Sequence, residues 1–316
     1  MADTFVIGFM LAVLSAVFWA SLDITRKHIG GYMSASAAVI GIMLWQAPFI
    51  VPFMTAEEFG WVPSFDNPVA DIVFVPFPEV TGYYVMFGIA SVVLNIAANF
   101  LFLRSVQISP LSLTTPYLSF TPVFSAIVAY FTLGETPTGW GIAGIVTVCI
   151  GAFFLNPGNK DEGVFAPLKA IWKERGSLYM LIVAFIWSVT PVIHKEAAEV
   201  TSPMWHTLFL AIGVGIAFIA YRLFKDGGTE KLREELSHTK FWVAACGFFS
   251  VGAMAMQLGS YVFVKIAYVE TIKRAVGVLS AILAGWILFK EKDIGRRLVG
   301  AVVMIAGVAM VLMTGN

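Results

Sequence analysis

Runs of apolar residues, each about as long as a membrane-spanning helix, follow one another along the whole chain. A hydrocarbon core about 30 Å thick is crossed by about 20 apolar residues in a helix. Ten segments reach this length, at residues 5–25, 33–54, 80–103, 111–133, 138–156, 177–195, 203–221, 241–264, 271–289 and 296–313. Six of them contain no Asp, Glu, Lys or Arg. The pattern predicts an all-α integral membrane protein with ten transmembrane helices.

Three connections between these segments are longer than the rest. Residues 55–79 are rich in proline, phenylalanine and acids, and their four prolines are too frequent for a spanning helix, so we expect them in the membrane interface. Residues 157–176 are of mixed polarity, and residues 225–240 are typical of a short amphipathic surface helix. The first apolar run has no basic leader and no cleavage signature, which predicts a retained helix.

Short motifs recur in the same order in the two halves of the chain. Trp19 near the end of the first segment matches Trp187 in the sixth, and each precedes a pair of basic residues. Glu135, after the fourth segment, matches Glu291, after the ninth, although helix capping is the simpler role for both. Two pairs of glycines, each pair seven residues apart on one helix face, also correspond: Gly144 with Gly151, and Gly300 with Gly307.

These matches predict two repeats, at 1–157 and 176–316, joined by a linker at 158–175. Each repeat has five apolar segments, so the second must enter the membrane inverted with respect to the first. Inverted repeats with a binding site at their interface are typical of secondary transporters.

Composition supports a membrane protein and argues against a soluble enzyme. Hydrophobic residues make up 59% of the 316 residues and charged residues only 13%, about half the share in soluble domains. Twenty basic and 20 acidic residues cancel, so no excess basic charge favours nucleic-acid binding. The two cysteines and four histidines form no disulfide, metal or catalytic motif, and no phosphate-binding loop is present. We therefore expect no cofactor and no metal.

The distribution of basic residues predicts the orientation. If ten helices span the membrane, 16 of the 20 basic residues fall on one side. The other four lie on the side of the two termini, and they are Lys195, Lys265, Lys273 and Arg274. Basic residues favour the cytoplasmic side. The count predicts that the N- and C-termini are outside, in what we expect to be the plasma (inner) membrane.

The strongest candidate for a binding site is the dipeptide Lys273-Arg274 at the start of the ninth apolar segment. Ionisable residues in membrane helices are costly and usually face a cavity or a partner. An ammonium beside a guanidinium suits phosphate or carboxylate, and Lys265 lies nearby. The alternative is that these side chains extend to the lipid headgroups from the helix end.

Other polar and aromatic residues in apolar segments are candidates for contact with a solute. They are Asn95 and Asn99, which share a helix face, Gln257 and Tyr261, which have the same spacing, the repeat-related Trp19 and Trp187, and Tyr117 beside Pro116. Hydrogen bonding between helices or aromatic packing is the alternative role of each. For proton coupling, the candidates are His194 and Asp23, with an interfacial position or a local ion pair as the alternative.

The order and duplication of these motifs resemble the drug/metabolite transporter superfamily, in its EamA-like ten-helix form. The resemblance is carried by SPLSLTTPYLSFTPVFSAIVAYFTLGE, which contains Glu135, and GIAGIVTVCIGAFFL. Their second-half counterparts are AGWILFKE, ending at Glu291, and LVGAVVMIAGVAMVL. Lys273-Arg274 also resembles the Lys-Arg pair with which plastid phosphate translocators hold the phosphate of their substrate.

The resemblance implies two inverted repeats around a central cavity, alternating access, and export or exchange of small metabolites without ATP hydrolysis. It also implies cytoplasmic termini, whereas the charge count predicts external ones, and we retain the charge count. The leading hypothesis is a secondary transporter for a small organic solute, an anion by the Lys-Arg pair, coupled to protons or to a counter-substrate and working as a monomer or homodimer.

Two other functions remain open from the sequence. The first is export of amino acids or amphiphilic compounds through a pocket walled by Trp19, Trp187 and Tyr117. The second is a membrane scaffold or sensor that transports nothing. The internal duplication argues against the second, because a scaffold does not need two inverted halves.

The predicted orientation can be tested with a reporter at the C-terminus. A fused phosphatase that is active only outside the cytoplasm should be active, and a fused fluorescent protein that folds only in the cytoplasm should be dark. The opposite pair of signals would refute the orientation drawn from the 16 and four basic residues.

Overall fold

A computed structural model describes residues 2–56, 79–109, 115–155, 174–225, 228–238, 240–287 and 294–315. Every regular element in these ranges is helical. The helices are α1 Ala2–Ile29, α2 Ala35–Ala56, α3 Gly82–Ile108, α4 Thr121–Leu133, α5 Gly139–Leu155, α6 Arg175–Glu199, α7 Pro203–Lys225, α8 Gly228–His238, α9 Lys240–Phe263, α10 Ile266–Ile287 and α11 Ile294–Leu312. Short 3₁₀ turns occupy Thr115–Phe120 and Met313–Gly315.

The helices confirm the all-α membrane class. Within the described residues, α1, α2, α3, α6, α7 and α9 are each long and apolar enough to cross a membrane. The apolar runs of α4, α5 and α11 are shorter, and α10 carries Glu270, Lys273 and Arg274. Each of the ten predicted segments overlaps one of these helices. The extra helix, α8, confirms the predicted amphipathic segment.

Several predictions fall on parts of the chain outside the described residues. These are most of the interfacial segment 55–79, the linker 158–175 except for its last two residues, and Glu291.

Contacts within the chain define two compact units, and each unit contains residues from both predicted repeats. Unit 1 comprises Met1–Ala16, Ala97–Val192 and Ser260–Asn316. Unit 2 comprises Val17–Ile96 and Ile193–Gly259. Residues of α1, α3, α6 and α9 contribute to both units. Residues that are distant in sequence therefore assemble each unit, as expected when two repeats interlock.

In unit 1, α5 and α11 approach each other through the four glycines that the repeat analysis singles out. A Cβ atom added to Gly144 would lie 2.6 Å from the carbonyl oxygen of Gly307, and one added to Gly307 would lie 2.8 Å from that of Gly144. Gly151 meets Gly300 in the same way, at 2.9 Å. Small residues allow such close backbone packing in membranes, where van der Waals contact drives association.

In unit 2, large side chains fill the space opposite glycines. Gly247 of α9 packs against Trp45 of α2, and Gly88 of α3 packs against Phe209 of α7. A buried hydrogen bond of 2.9 Å from the Gln46 side-chain amide to Ser250 Oγ also joins α2 to α9. The Gln46 amide and the Ser250 hydroxyl thus find partners within the protein, as favoured in a hydrocarbon environment.

Many large apolar side chains point outward from the helices that are long enough to span. Met10 of α1 is 59% exposed and Ile216 of α7 is 62% exposed, whereas Ser91 and Ser188 are fully buried. A soluble protein would bury the apolar groups and expose the hydroxyls. The reversed pattern is that of helices whose outer surface contacts lipid.

The glycine contact between α5 and α11 leads to a stability prediction. Gly144→Ala should destabilise the protein by about 1–3 kcal/mol, because the new methyl group collides with a backbone carbonyl that cannot move alone. The measurement is the thermal unfolding midpoint of the purified protein in detergent.

Gly139→Ala, in the same helix, is the control, because nothing lies within 4 Å of a Cβ atom there. Alanine is otherwise the better helix former by about 1 kcal/mol, so this control should be neutral or stabilising. Equal midpoints for the two variants would contradict the packing described.

Candidate functional site

The structure divides the candidate residues between the two units. Unit 1 holds Asn99, Tyr117, Trp187, Tyr261, Lys265, Lys273 and Arg274. Unit 2 holds Trp19, Asp23, Asn95, His194 and Gln257. All three basic candidates of the anion hypothesis therefore belong to unit 1.

The Lys-Arg pair lies deeper in its helix than the apolar segment 271–289 suggests. Helix α10 begins at Ile266, five residues before that segment. Lys273 is therefore seven residues into the helix, about 10 Å along its axis. This depth places the ammonium away from the helix end.

A buried carboxylate holds the Lys273 ammonium. The Glu270 side chain is 2% exposed, and its Oε1 atom lies 2.7 Å from Lys273 Nζ. The Tyr261 hydroxyl, on α9, donates to the same Oε1 atom at 2.8 Å. The Lys273 side chain is 24% exposed, so it remains partly accessible while it contacts the buried acid. We call Tyr261, Glu270 and Lys273 the α10 network.

Arg274 extends in another direction from the same helix. Its Nη2 atom lies 3.4 Å from the hydroxyl of Thr121, at the start of α4. That hydroxyl in turn donates to the Leu118 carbonyl at 2.8 Å. Adjacent residues on a helix point about 100° apart, so Lys273 and Arg274 reach different neighbours.

The start of α10 is anchored to the turn between α4 and α5. Glu135 accepts a hydrogen bond of 2.9 Å from the backbone N–H of Ile266, which caps α10 and confirms the predicted capping role. The Lys265 ammonium donates to the Thr136 carbonyl. Gly134, with φ of 67°, makes the left-handed turn that ends α4. Lys265 thus contributes to fixing α10 in place.

The aromatic candidates have separate local partners. In unit 2, the indole N–H of Trp19 donates to Gln257 Oε1 at 2.7 Å. In unit 1, Trp187 packs against Phe102 with ring centroids 5.8 Å apart. Tyr117 is fully buried in a cluster with Met180 and Val183.

In unit 2, two histidines from consecutive helices meet. His194 Nδ1, near the end of α6, lies 2.8 Å from His206 Nε2, near the start of α7, and both side chains are buried. Asn95 donates to the Ser91 carbonyl at 2.9 Å and lies 3.5 Å from His194 Nε2. This imidazole pair is a buried titratable group.

The remaining candidates occupy less enclosed positions. Asp23 is 68% exposed and lies 3.6 Å from Arg26, which is the local pair that the sequence offers as its alternative role. Asn99 is half-buried in unit 1. Across the described residues, no group of three or more His, Cys, Asp or Glu side chains is placed to hold a metal ion.

Sequence reasoning missed two members of these sites, Glu270 and His206. Glu270 falls in the connection between the predicted eighth and ninth segments, and only its i, i+3 spacing to Lys273 signals a pair. His206 is twelve residues from His194, a spacing that becomes a contact only because α6 and α7 form a hairpin.

The fold and these polar groups inside apolar helices define an integral membrane transporter built from two repeats. The chain belongs to the EamA-like transporter family, whose model matches residues 6–156 and again residues 174–313. The double match confirms the resemblance to the drug/metabolite transporter superfamily and supports a protein that is not an enzyme.

Comparison with solved structures supports the fold alone. One crystal structure, described only as that of a protein, superimposes with a TM-score of 0.71 at 15% sequence identity. The match covers 100% of this chain and 98% of that chain. No curated protein shows a significant sequence match.

The α10 network predicts the effect of breaking its ion pair. Lys273→Met should destabilise the protein by about 3 kcal/mol, because it leaves the buried Glu270 carboxylate without its cation. The double variant Glu270→Gln/Lys273→Met should recover most of the loss. Thermal unfolding in detergent measures both.

Arg26→Met is the control, because it breaks the exposed pair with Asp23 and should cost less than about 1 kcal/mol. A Lys273→Met variant as stable as this control would show that the carboxylate does not depend on Lys273.

Proposed function

We propose that the protein is a secondary transporter that moves a small organic anion across the membrane by alternating access. Membership of the EamA-like transporter family supports a role in membrane transport. The observation that favours an anion is the charge of α10. Between positions 270 and 274 the helix carries one carboxylate and two cations, a net charge of +1.

The position of this charge determines how strongly it attracts an anion. A single charge inside a membrane protein acts through a low effective dielectric constant, so its attraction for an opposite charge is several times stronger than in water. Glu270 forms an ion pair with Lys273, and together with Arg274 the segment keeps a formal charge of +1. A guanidinium binds carboxylate or phosphate through two parallel hydrogen bonds.

Coupling to protons would use buried titratable groups, and the described part of the chain includes two such sets. Glu270 holds Lys273, so a substrate anion that approaches this ammonium competes with the carboxylate for it. The His194–His206 pair is the second candidate, because two imidazoles 2.8 Å apart share one proton more readily than they hold two.

We propose that the transporter works in the plasma (inner) membrane with both termini outside, as a monomer or homodimer. Exchange of the anion for a counter-substrate is the alternative to proton coupling.

The test is uptake into proteoliposomes. Succinate and glycerol 3-phosphate serve as anionic solutes, and glucose and tetraethylammonium as neutral and cationic ones. We expect uptake of at least one anion, with no uptake of glucose or tetraethylammonium. Arg274→Gln should reduce the anion uptake by about tenfold or more, because a hydrogen bond to a charged group contributes about 1.5–3 kcal/mol.

Lys231→Gln, on the exposed surface of α8, is the matched control, because it removes one positive charge without touching α10. Uptake of tetraethylammonium in preference to both anions would refute the anion assignment. So would an Arg274→Gln variant that takes up the anion at the rate of the control.

A further inference from the structure

The amphipathic helix α8 is fixed to unit 2 by a buried arginine. Arg222, near the end of α7, is 1% exposed, and its Nη2 atom lies 2.7 Å from Glu235 of α8. Its Nη1 atom donates to Ser36 Oγ at 2.9 Å and also to Ser34, at the start of α2. The Ser34 hydroxyl donates to Glu235 as well, at 3.1 Å. These bonds hold α8 against the ends of α2 and α7.

Two leucines of α8 complete this attachment. Leu232 and Leu236 are one turn apart and pack against the apolar core of unit 2 that contains Leu22, Ile29 and Val243. The helix is therefore a built part of unit 2, with its apolar side turned inward.

Exposed aromatic residues mark the same end of unit 2 as the membrane–water interface. Tyr32, between α1 and α2, is 65% exposed, and Phe224, at the end of α7, is 88% exposed. Phe241 and Trp242, at the start of α9, are 74% and 43% exposed. Aromatic side chains of this kind form belts at the level of the lipid headgroups. Helix α8 lies between α7 and α9 in the chain and therefore at this level.

A cavity of about 410 Å³ opens beside α8, and its lining is divided by polarity. Leu232, Leu236 and Trp45 form the apolar part, and Trp45 lies ten residues into α2, about 15 Å along its axis. Arg233 and Ser237 of α8 and Lys240, the first residue of α9, form the polar part.

The polar part of the cavity carries positive charge. Arg233 and Lys240 are exposed, and neither forms an ion pair with a described residue. The exposed acids of α8, Glu230 and Glu234, do not line the cavity. Two cations thus line the same open groove as the apolar side chains of Leu232, Leu236 and Trp45.

We infer that this cavity binds a phospholipid with an anionic headgroup. Arg233 and Lys240 would bind the headgroup phosphate, because charge-assisted hydrogen bonds to phosphate are the strongest these side chains form. The recess formed by Leu232, Leu236 and Trp45 would receive the first part of an acyl chain. A free phosphate ion would leave this apolar surface unused, so the lining fits an amphiphile.

The experiment uses the full chain purified in a neutral detergent. Thermal unfolding midpoints are measured after addition of phosphatidylglycerol, phosphatidylcholine or inorganic phosphate, and native mass spectrometry counts the bound lipids. We expect phosphatidylglycerol to raise the midpoint and to remain bound, with no shift from the other two. In Arg233→Gln/Lys240→Gln the shift and one bound lipid should be lost.

Lys231→Gln is the control, because it removes a neighbouring charge of α8 that does not line the cavity. This variant should keep both the midpoint shift and the bound lipid. The double variant changes exposed side chains only, so its midpoint without lipid should match the wild type and show that it folds. An equal shift from phosphatidylcholine, an equal shift from inorganic phosphate, or lipid binding retained in the double variant would each overturn the inference.

Discussion

Inside a bilayer, a polar group has no water to bond with and must find its partner within the protein. This constraint explains why the buried polar side chains occur in groups that join different helices. Trp19 bonds to Gln257, and Tyr261, Glu270 and Lys273 form one network. Each group links α10, α9 or α1 to a neighbour, so the residues that we propose for solute binding also help to hold the helices together.

Packing through small residues provides the rest of the cohesion. Helices α5 and α11 meet where glycines of one repeat face glycines of the other, as Gly144 faces Gly307. Hydrophobic burial cannot drive this contact in lipid, so close backbone approach must supply the energy. In unit 1, this contact packs against α10, because Val148 and Met304 share a buried cluster with Ala275 of that helix. The helix with the charged network is thereby supported from both repeats.

The periodicity and length of apolar runs predict the helices of this fold well, because a helix is determined by residues close together in the sequence. The apolar segments, the amphipathic α8 and the matched glycines are all of this kind. The site was harder to predict. A window that seeks unbroken apolar runs starts the ninth segment at 271, because Glu270 ends the run, although α10 begins at Ile266. Apolar length alone therefore predicts a loop at Glu270, the acid that pairs with Lys273. The contact between His194 and His206 depends on how two helices pack, which no local pattern encodes.

The central claim is that this member of the EamA-like family is a secondary transporter of anions. Counterflow in proteoliposomes tests it most directly. Vesicles are loaded with a candidate anion, and uptake of the labelled anion is followed without ATP. Alternating access predicts that the internal anion accelerates uptake, because the carrier returns loaded. If the internal anion does not change the uptake rate, and vesicles with the protein accumulate no more of any anion than vesicles without it, the account is contradicted.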